Sequence, residues 1–325
     1  MIATVVSHYP KIGDHPGEQK LRQAIAKFEM GEIDYQALVD VEREVTKQAI
    51  REMEEAGIEL VTDGQIRWQD PVTYICSKLN GFEINGLVRW FDSNTYFRQP
   101  VAVGDVAWVE PILVEDYIYA RSVATVDVKP VVTGPYTLGV LSIDRYYNDL
   151  DKLVLALAAA LNAELKELCK QKPPIIQIDE PGIAFNPSVR YPRDARLFLQ
   201  ALELLTKDID CDLSLYIYHG SASDILQTEQ LPVKILGLDM VHGASNWQLL
   251  ENWPDGLGLG LGIVDARNVK MENVEHLATT IKQAKELIRS DEVHVSPSCG
   301  LEFLPKDVAL SKLRLLAESV REARE

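Results

Sequence analysis

The chain predicts an α/β fold, a single (β/α)8 TIM barrel with an inserted β-hairpin excursion after the second strand. Three observations carry that expectation. Short β-rich apolar runs alternate with long helical stretches through eight strand–helix units. The runs have the apolar character of parallel strands covered on both faces. Polar, chemistry-bearing residues recur where the runs end. A doubly wound open sheet is the alternative, but no GxGxxG follows the first strand, which weakens a dinucleotide-binding version of it.

The elements follow in order. Candidate strands cover 2–7, 58–62, 128–133, 175–179, 212–218, 234–241, 257–264 and 292–296. Leu38, Val41, Val45, Ala49 and Met53 recur at helical spacing before the second strand. Val154, Leu157, Leu161, Leu165 and Leu168 do so before the fourth, and Leu310, Leu313, Ala317 and Val320 close the chain in the same way. Residues 80–122 break the rhythm, with alternating aromatics and turn residues but no helix signal. They read as the excursion, covering the barrel or forming an oligomer contact. There are no internal repeats, low-complexity tracts or long linkers, so 1–325 is read as one barrel domain.

Composition narrows the function. The 325 residues are 46% hydrophobic and 25% charged, an ordinary globular balance. Length alone allows two domains, yet α/β barrels reach this size as one. No apolar run approaches the roughly 20 residues that cross a bilayer. The start, MIATVVSHYPKIGD, lacks the basic n-region of a signal peptide. Cys76, Cys169, Cys211 and Cys299 are far apart with no CxxC pair, which predicts thiols in a reducing cytoplasm. A net charge of −16 opposes phosphate backbones and anionic membranes, so no nucleic-acid or membrane partner is expected.

In such a barrel the catalytic groups stand at the carboxyl ends of the strands. The first strand ends in Ser7-His8-Tyr9-Pro10, which also suits a plain polar loop. The second ends in Asp63-Gly64-Gln65-Ile66-Arg67, where Arg67 offers a fork for a carboxylate. The third ends in Thr133-Gly134-Pro135-Tyr136, which also suits a helix start. The fourth ends in Gln177-Ile178-Asp179-Glu180-Pro181. Two acids directly after an apolar strand are hard to explain as core, because burying them uncompensated costs several kcal/mol. The fifth ends in His219, and the sixth brings Asp239 and His242, which strand alternation keeps from facing the same way. The seventh runs into Asp265-Ala266-Arg267, and the eighth brings Cys299. His219, Cys299 and one group from the sixth strand would make a zinc site with an open position.

At these residues the chain resembles the catalytic C-terminal barrel of cobalamin-independent methionine synthase, over nearly its whole length. The resemblance rests on the SHYP loop, DGQIR, TGPYT, QIDEP, the histidine after the fifth strand, LGLGIVDARNVKMENVEHL and VSPSCGL. QIDEP and the final cysteine motif are the more specific of these. The length fits a short form without the folate-binding N-terminal barrel. The resemblance implies zinc held by a His-x-Cys, a Glu from the sixth strand and the late Cys. His219 and Cys299 match; Ser221 stands where the family has Cys, and the Glu position falls near Val241 or His242. Asp239 or His242 is the replacement third ligand. For the amino-acid substrate, Ser7 and Asp179 match, with His8, Arg67 and Glu180 beside them, while Gln65 replaces a Glu.

The activity this implies is methyl transfer to a thiol, most simply homocysteine to give methionine. His219 and Cys299 would activate sulfur, and Asp179 would anchor the ammonium. The implied donor is methylcobalamin on a corrinoid partner protein or a simpler methyl compound. A diverged member acting on another sulfur- or amino-acid-like ligand, and a non-catalytic binding protein, are the other readings.

Overall fold

The computed structural model describes residues 1–184, 193–226, 228 and 231–325. The apolar runs form parallel strands: β1 (Ile2–Ala3), β2 (Leu60–Val61), β5 (Asp127–Val128), β6 (Val131–Thr133), β8 (Ile176–Asp179), β9 (Leu213–Ile217), β10 (Ile235–Asp239), β11 (Gly258–Val264) and β12 (Val293–Pro297). Seven of them make one curled parallel sheet in the order β1-β12-β11-β10-β9-β8-β6. β2 pairs with β5, and a parallel bridge joins Thr4 to Leu60 beside β1. Lys129 and Pro130 separate β5 from β6. Lys129 N–H donates to Val61 O at 2.9 Å, and Pro130 O accepts from Gln177 N–H at 2.9 Å, so bonds run to both sides across the gap. Proline has no N–H to give a ladder, so the strand is interrupted there.

The helical spacing seen in the sequence is the buried face of each covering helix. In the helix Leu150–Cys169, Val154, Leu157, Leu161, Leu165 and Leu168 are all fully buried. Asp149 starts that helix by accepting from Asp151 N–H and Lys152 N–H. The C-terminal helix Lys306–Arg324 buries Leu313, Leu316 and Val320 in the same manner. Inside the sheet, the Tyr216 ring lies flat against the glycine backbones of β10 and β11. A Cβ on Gly237 would run into that ring, and one on Gly260 would lie 2.9 Å from its Cζ.

β3 (Asn80–Arg89) and β4 (Tyr96–Ala107) form an antiparallel pair, and β4 also pairs parallel with β7 (Ile143–Asp144). Phe97, Val101, Ala102 and Val106 are buried hydrophobic residues of β4.

Two expectations are corrected. Residues 114–123, read as free of helix signal, form a helix whose first turn carries Glu115 and Asp116, favourable at a helix N-terminus. Its apolar periodicity is weak because Asp116 is among its buried residues. The cysteines are not four thiols: Cys169 and Cys211 form a disulfide between Cα atoms 5.8 Å apart, leaving Cys76 and Cys299 free and buried. Separation in sequence hid a pair that the end of one helix and the loop before β9 bring together. Among the described residues, no helix is long and apolar enough to cross a membrane.

Gly237→Ala should destabilise the protein by about 1–3 kcal/mol, because the added methyl has no room beside a buried ring. Urea unfolding of the two proteins measures this; an unchanged midpoint would mean that Tyr216 has space to move.

Candidate functional site

The carboxyl ends of the strands bring polar side chains to one mouth. The turn after β12 is fastened to the first-strand loop, since Leu301 N–H donates to His8 O at 2.8 Å. Cys299 is fully buried there, and its Sγ donates to Gly300 O at 3.5 Å. Burial, with Glu302 and Asp239 nearby, pushes its thiol far above the ordinary range. It is a protonated thiol unless something positive reaches it.

His219 has φ of 70°, a left-handed conformation that β-strand ends rarely adopt without support. The support is Asp239, whose Oδ2 accepts from His219 N–H at 3.1 Å. The ring is enclosed by Trp90, Phe91, Tyr218 and Phe303, with centroids 6.3, 5.6, 4.8 and 5.7 Å away. Burial, then the nearby Arg267 and His242, hold the imidazole neutral. Its Nε2 faces the Trp90 Nε1–H donor at 3.2 Å. A neutral ring that accepts on Nε2 carries its proton on Nδ1, and Nδ1 has no partner. His219 therefore presents a buried, unspent N–H donor.

Asp179 is 3% exposed at the end of β8. It accepts from Gln177 Nε2 at 2.7 Å and Tyr218 Oη at 3.1 Å, with Ser7 close enough to bond it as well. Burial outweighs these bonds and raises its carboxyl to about 7. Glu180 is spent differently. Its two oxygens accept from Tyr136 N–H at 3.0 Å, Thr137 N–H at 2.7 Å and Thr137 Oγ1 at 2.6 Å. It caps the helix Pro135–Leu141, with Gly134 leaving room for the carboxylate.

The other expected residues lie as follows. Asp239 Oδ1 accepts from Val241 N–H and His242 N–H at 3.0 and 2.8 Å, and Oδ2 lies 3.3 Å from His242 Nδ1. Asp239 and His242 thus meet, against the alternation argument, because His242 lies in the turn beyond β10. Asp239 holds the His242 imidazole above its usual pKa, and Asp265 stands 3.6 Å from its Nε2. Ser221 hydrogen-bonds with Ser245 and Asn246. Gln65 is 1% exposed at φ 50°, with Oε1 unpartnered. Arg67 points its fork at Glu42 and Asp116 and is committed to both.

A cleft of about 380 Å³ opens at this mouth, walled by His8, Lys11, Asp70, Trp90, Phe97 and Glu302 among others. Lys11, Trp90, Tyr218 and Glu302 were not singled out from the sequence. Tyr218 was legible as the neighbour of His219, and Glu302 as an acid just past Cys299. Nothing in the spacing points to Trp90, which reaches the mouth through the β3–β4 pair.

Zinc does not fit these donors. Among the described residues no group of three or more His, Cys, Asp or Glu side chains gathers to hold a metal ion. The His219 lone pair faces Trp90, Asp239 is occupied by three backbone N–H groups, and Ser221 is tied into a hydroxyl–amide cluster.

A parallel α/β sheet with acid, imidazole and thiol groups at its strand ends defines a small-molecule enzyme scaffold. The chain belongs to the family described as cobalamin-independent synthase, catalytic domain, which matches residues 9–322. It is similar to a methionine synthase of Saccharolobus solfataricus, 29% identical over 317 residues that cover 97% of this chain and 94% of that one. A methionine synthase of Sulfurisphaera tokodaii is 28% identical over 321 residues, covering 97% and 91%. The fold matches a B12-independent methionine synthase of Shewanella sp. W3-18-1 solved with selenomethionine, at a TM-score of 0.80 and 22% identity, over 99% of this chain and 97% of that one.

Two outcomes follow from the site. A carboxyl raised in the folded state favours folding below its unfolded pKa and loses that contribution as pH rises through its folded pKa. Asp179, Glu180 and Glu302, each raised to about 7, should make stability fall between about pH 4 and 7. Asp179→Asn should flatten part of that slope in urea titrations; an unchanged slope would mean that Asp179 is hydrated. Elemental analysis of protein purified without chelator should find well under one zinc per chain, rising in Ser221→Cys. A full equivalent in the wild type would show that the donors rearrange around metal.

Proposed function

We propose that this chain transfers a methyl group to the sulfur of homocysteine, giving methionine, within one closed (β/α)8 barrel spanning 1–325. The pairings of β2 with β5, of Thr4 with Leu60 and of both neighbours across Lys129–Pro130 support closure. We treat the β3–β4 pair as an insertion that roofs the mouth. The observation that carries the functional reading is the family match over residues 9–322 together with Asp179, a buried carboxyl at the mouth beside Ser7 and Tyr218.

In this reading Asp179 and Ser7 hold the amino end of the substrate, with Gln65 Oε1 as a further acceptor. His8 walls the ligand cleft. The sulfur lies toward His219 and Cys299, where the Nδ1–H of His219 donates to it. A neutral donor to a sulfur lone pair favours the thiolate over the thiol, at a strength of about 1 kcal/mol in ordinary hydrogen bonds. The sulfur attacks the methyl carbon, the bond from methyl to donor breaks, and the thiol proton leaves to solvent. Arg67 and Glu180 act as supports, by their bonds to Asp116 and Thr137. A corrinoid donor finds no support in a family described as cobalamin-independent. Relatives that carry the name methionine synthase, and a related fold solved with selenomethionine, support the amino-acid acceptor.

The test is direct. Purified protein is incubated with homocysteine and a methylated folate, a methylsulfonium compound or a methylcorrinoid, and methionine is measured by mass spectrometry. Methionine formed with any donor, and lost in Cys299→Ala, supports the reading. Asp179→Asn should weaken methionine binding about tenfold to a hundredfold, the worth of a charge-assisted hydrogen bond. No methionine from any donor, with no binding of methionine or homocysteine, would leave the proposal without support.

A further inference from the structure

The cleft holds polar atoms that the reaction as proposed does not use. His8 is 6% exposed, and its Nε2 lines the cleft without a partner. Glu302 Oε2 is buried on the same wall, also without a partner. Buried polar atoms of native proteins are nearly always paired, so two orphans on one wall point to something that visits. Lys11 lines the cleft too, and its Nζ donates to Trp68 O, which spends one of its three N–H donors.

The backbone is shaped around Glu302. A Cβ on Gly300 would collide with Glu302 Oε2 and lie 3.0 Å from Ser7 Oγ. Glycine at 300 therefore lets the carboxylate fold back toward Ser7, the residue beside Asp179. Glu302 feels the charges of both Lys11 and Asp179. Lys11 Nζ is bonded to Trp68 O and Glu302 Oε2 has no partner, so the two groups feel each other's charge across the cleft and each keeps bonding capacity for a ligand. Two carboxyls near each other under low dielectric, one with a bare oxygen, form a cation site in electrostatic terms. A separate ammonium on the same cleft suits an anion. A ligand with both charges on one carbon satisfies the pair.

We infer that Glu302 and Lys11 read the α-amino-acid end of the substrate, Glu302 taking its ammonium jointly with Asp179 and Lys11 taking its carboxylate. Glu302 thereby restores the negative charge that Gln65 does not carry. The inference rests on the methyl-transfer reading for its choice of ligand. It assigns Glu302 and Lys11 to specificity and not to the chemistry at sulfur.

Three ligands separate the two charges: methionine, 4-(methylthio)butanoate without the amino group, and 3-(methylthio)propylamine without the carboxylate. Calorimetry, with saturation-transfer NMR for weak ligands, measures each against wild type, Glu302→Gln and Lys11→Met. Glu302→Gln should weaken methionine and the amine by about 10–100-fold and leave the butanoate within about twofold. Lys11→Met should weaken methionine and the butanoate to a similar extent and spare the amine. Because each variant has a ligand it should still bind, misfolding cannot imitate the pattern. Equal loss for all three ligands, or none, overturns the inference while leaving methyl transfer standing. A wild type that binds neither methionine nor homocysteine overturns both.

Discussion

Desolvation of ionisable groups at the strand ends is the constraint on which the mouth depends. Asp179, His219 and Cys299 are buried, Glu302 is half-buried with Oε2 shut off from water, and desolvation is the largest influence on each. The acids shift up, the imidazole shifts down and the thiol stays protonated. Burial thus disfavours the charged form of each of these groups. A cationic ligand group changes the balance, because it stabilises the carboxylates that burial disfavours. Ligand charge and site charge then appear together, which is a route to selectivity that a solvated acid lacks.

The bland supports make this possible. Glu180 resembles Asp179 in sequence and in burial, yet both of its oxygens are engaged by the start of a helix. It holds the helix Pro135–Leu141 against the end of β8. Asp239 does the equivalent for His219, whose left-handed backbone needs an acceptor for its N–H. Arg67, Glu42 and Asp116 tie the second-strand loop to two helices. Each of these charged side chains is buried or half-buried with hydrogen-bonded partners of its own, which is what allows its neighbours to keep theirs open.

Much of this was legible in the sequence, and the failures have physical causes. Parallel strands read as apolar runs because both faces are covered, so every predicted strand overlaps an observed one. The 127–133 run divides at Lys129–Pro130, as an N–H-free residue in a ladder dictates. QIDEP announced two acids but not their different fates, since the donors to Glu180 come from another strand's loop. Asp239 and His242 were separated by an alternation rule that stops where the strand stops. Cys169 and Cys211 met through packing of elements 42 residues apart, which no local pattern encodes. Trp90 and Phe97 reach the cleft from an antiparallel pair whose alternating aromatics gave the hairpin but not its direction.

The relation between His219 and Trp90 shows how one contact can redirect a site. An imidazole offers a metal one lone pair, and which nitrogen carries it depends on what the other nitrogen meets. With the Trp90 N–H on Nε2, the lone pair is taken and the proton sits on Nδ1. The same ring that would be a ligand to zinc is then a hydrogen-bond donor. Ser221 in place of a thiolate removes a charge that would draw a cation in, and the hydroxyl finds partners in Ser245 and Asn246 instead. Loss of a thiolate, capture of the histidine lone pair and the filling of Asp239 each lower metal affinity, and they act in the same direction. Sulfur in this mouth would meet a neutral N–H and a protonated thiol inside an aromatic enclosure, surroundings that favour a polarisable, weakly solvated atom over a hydrated ion.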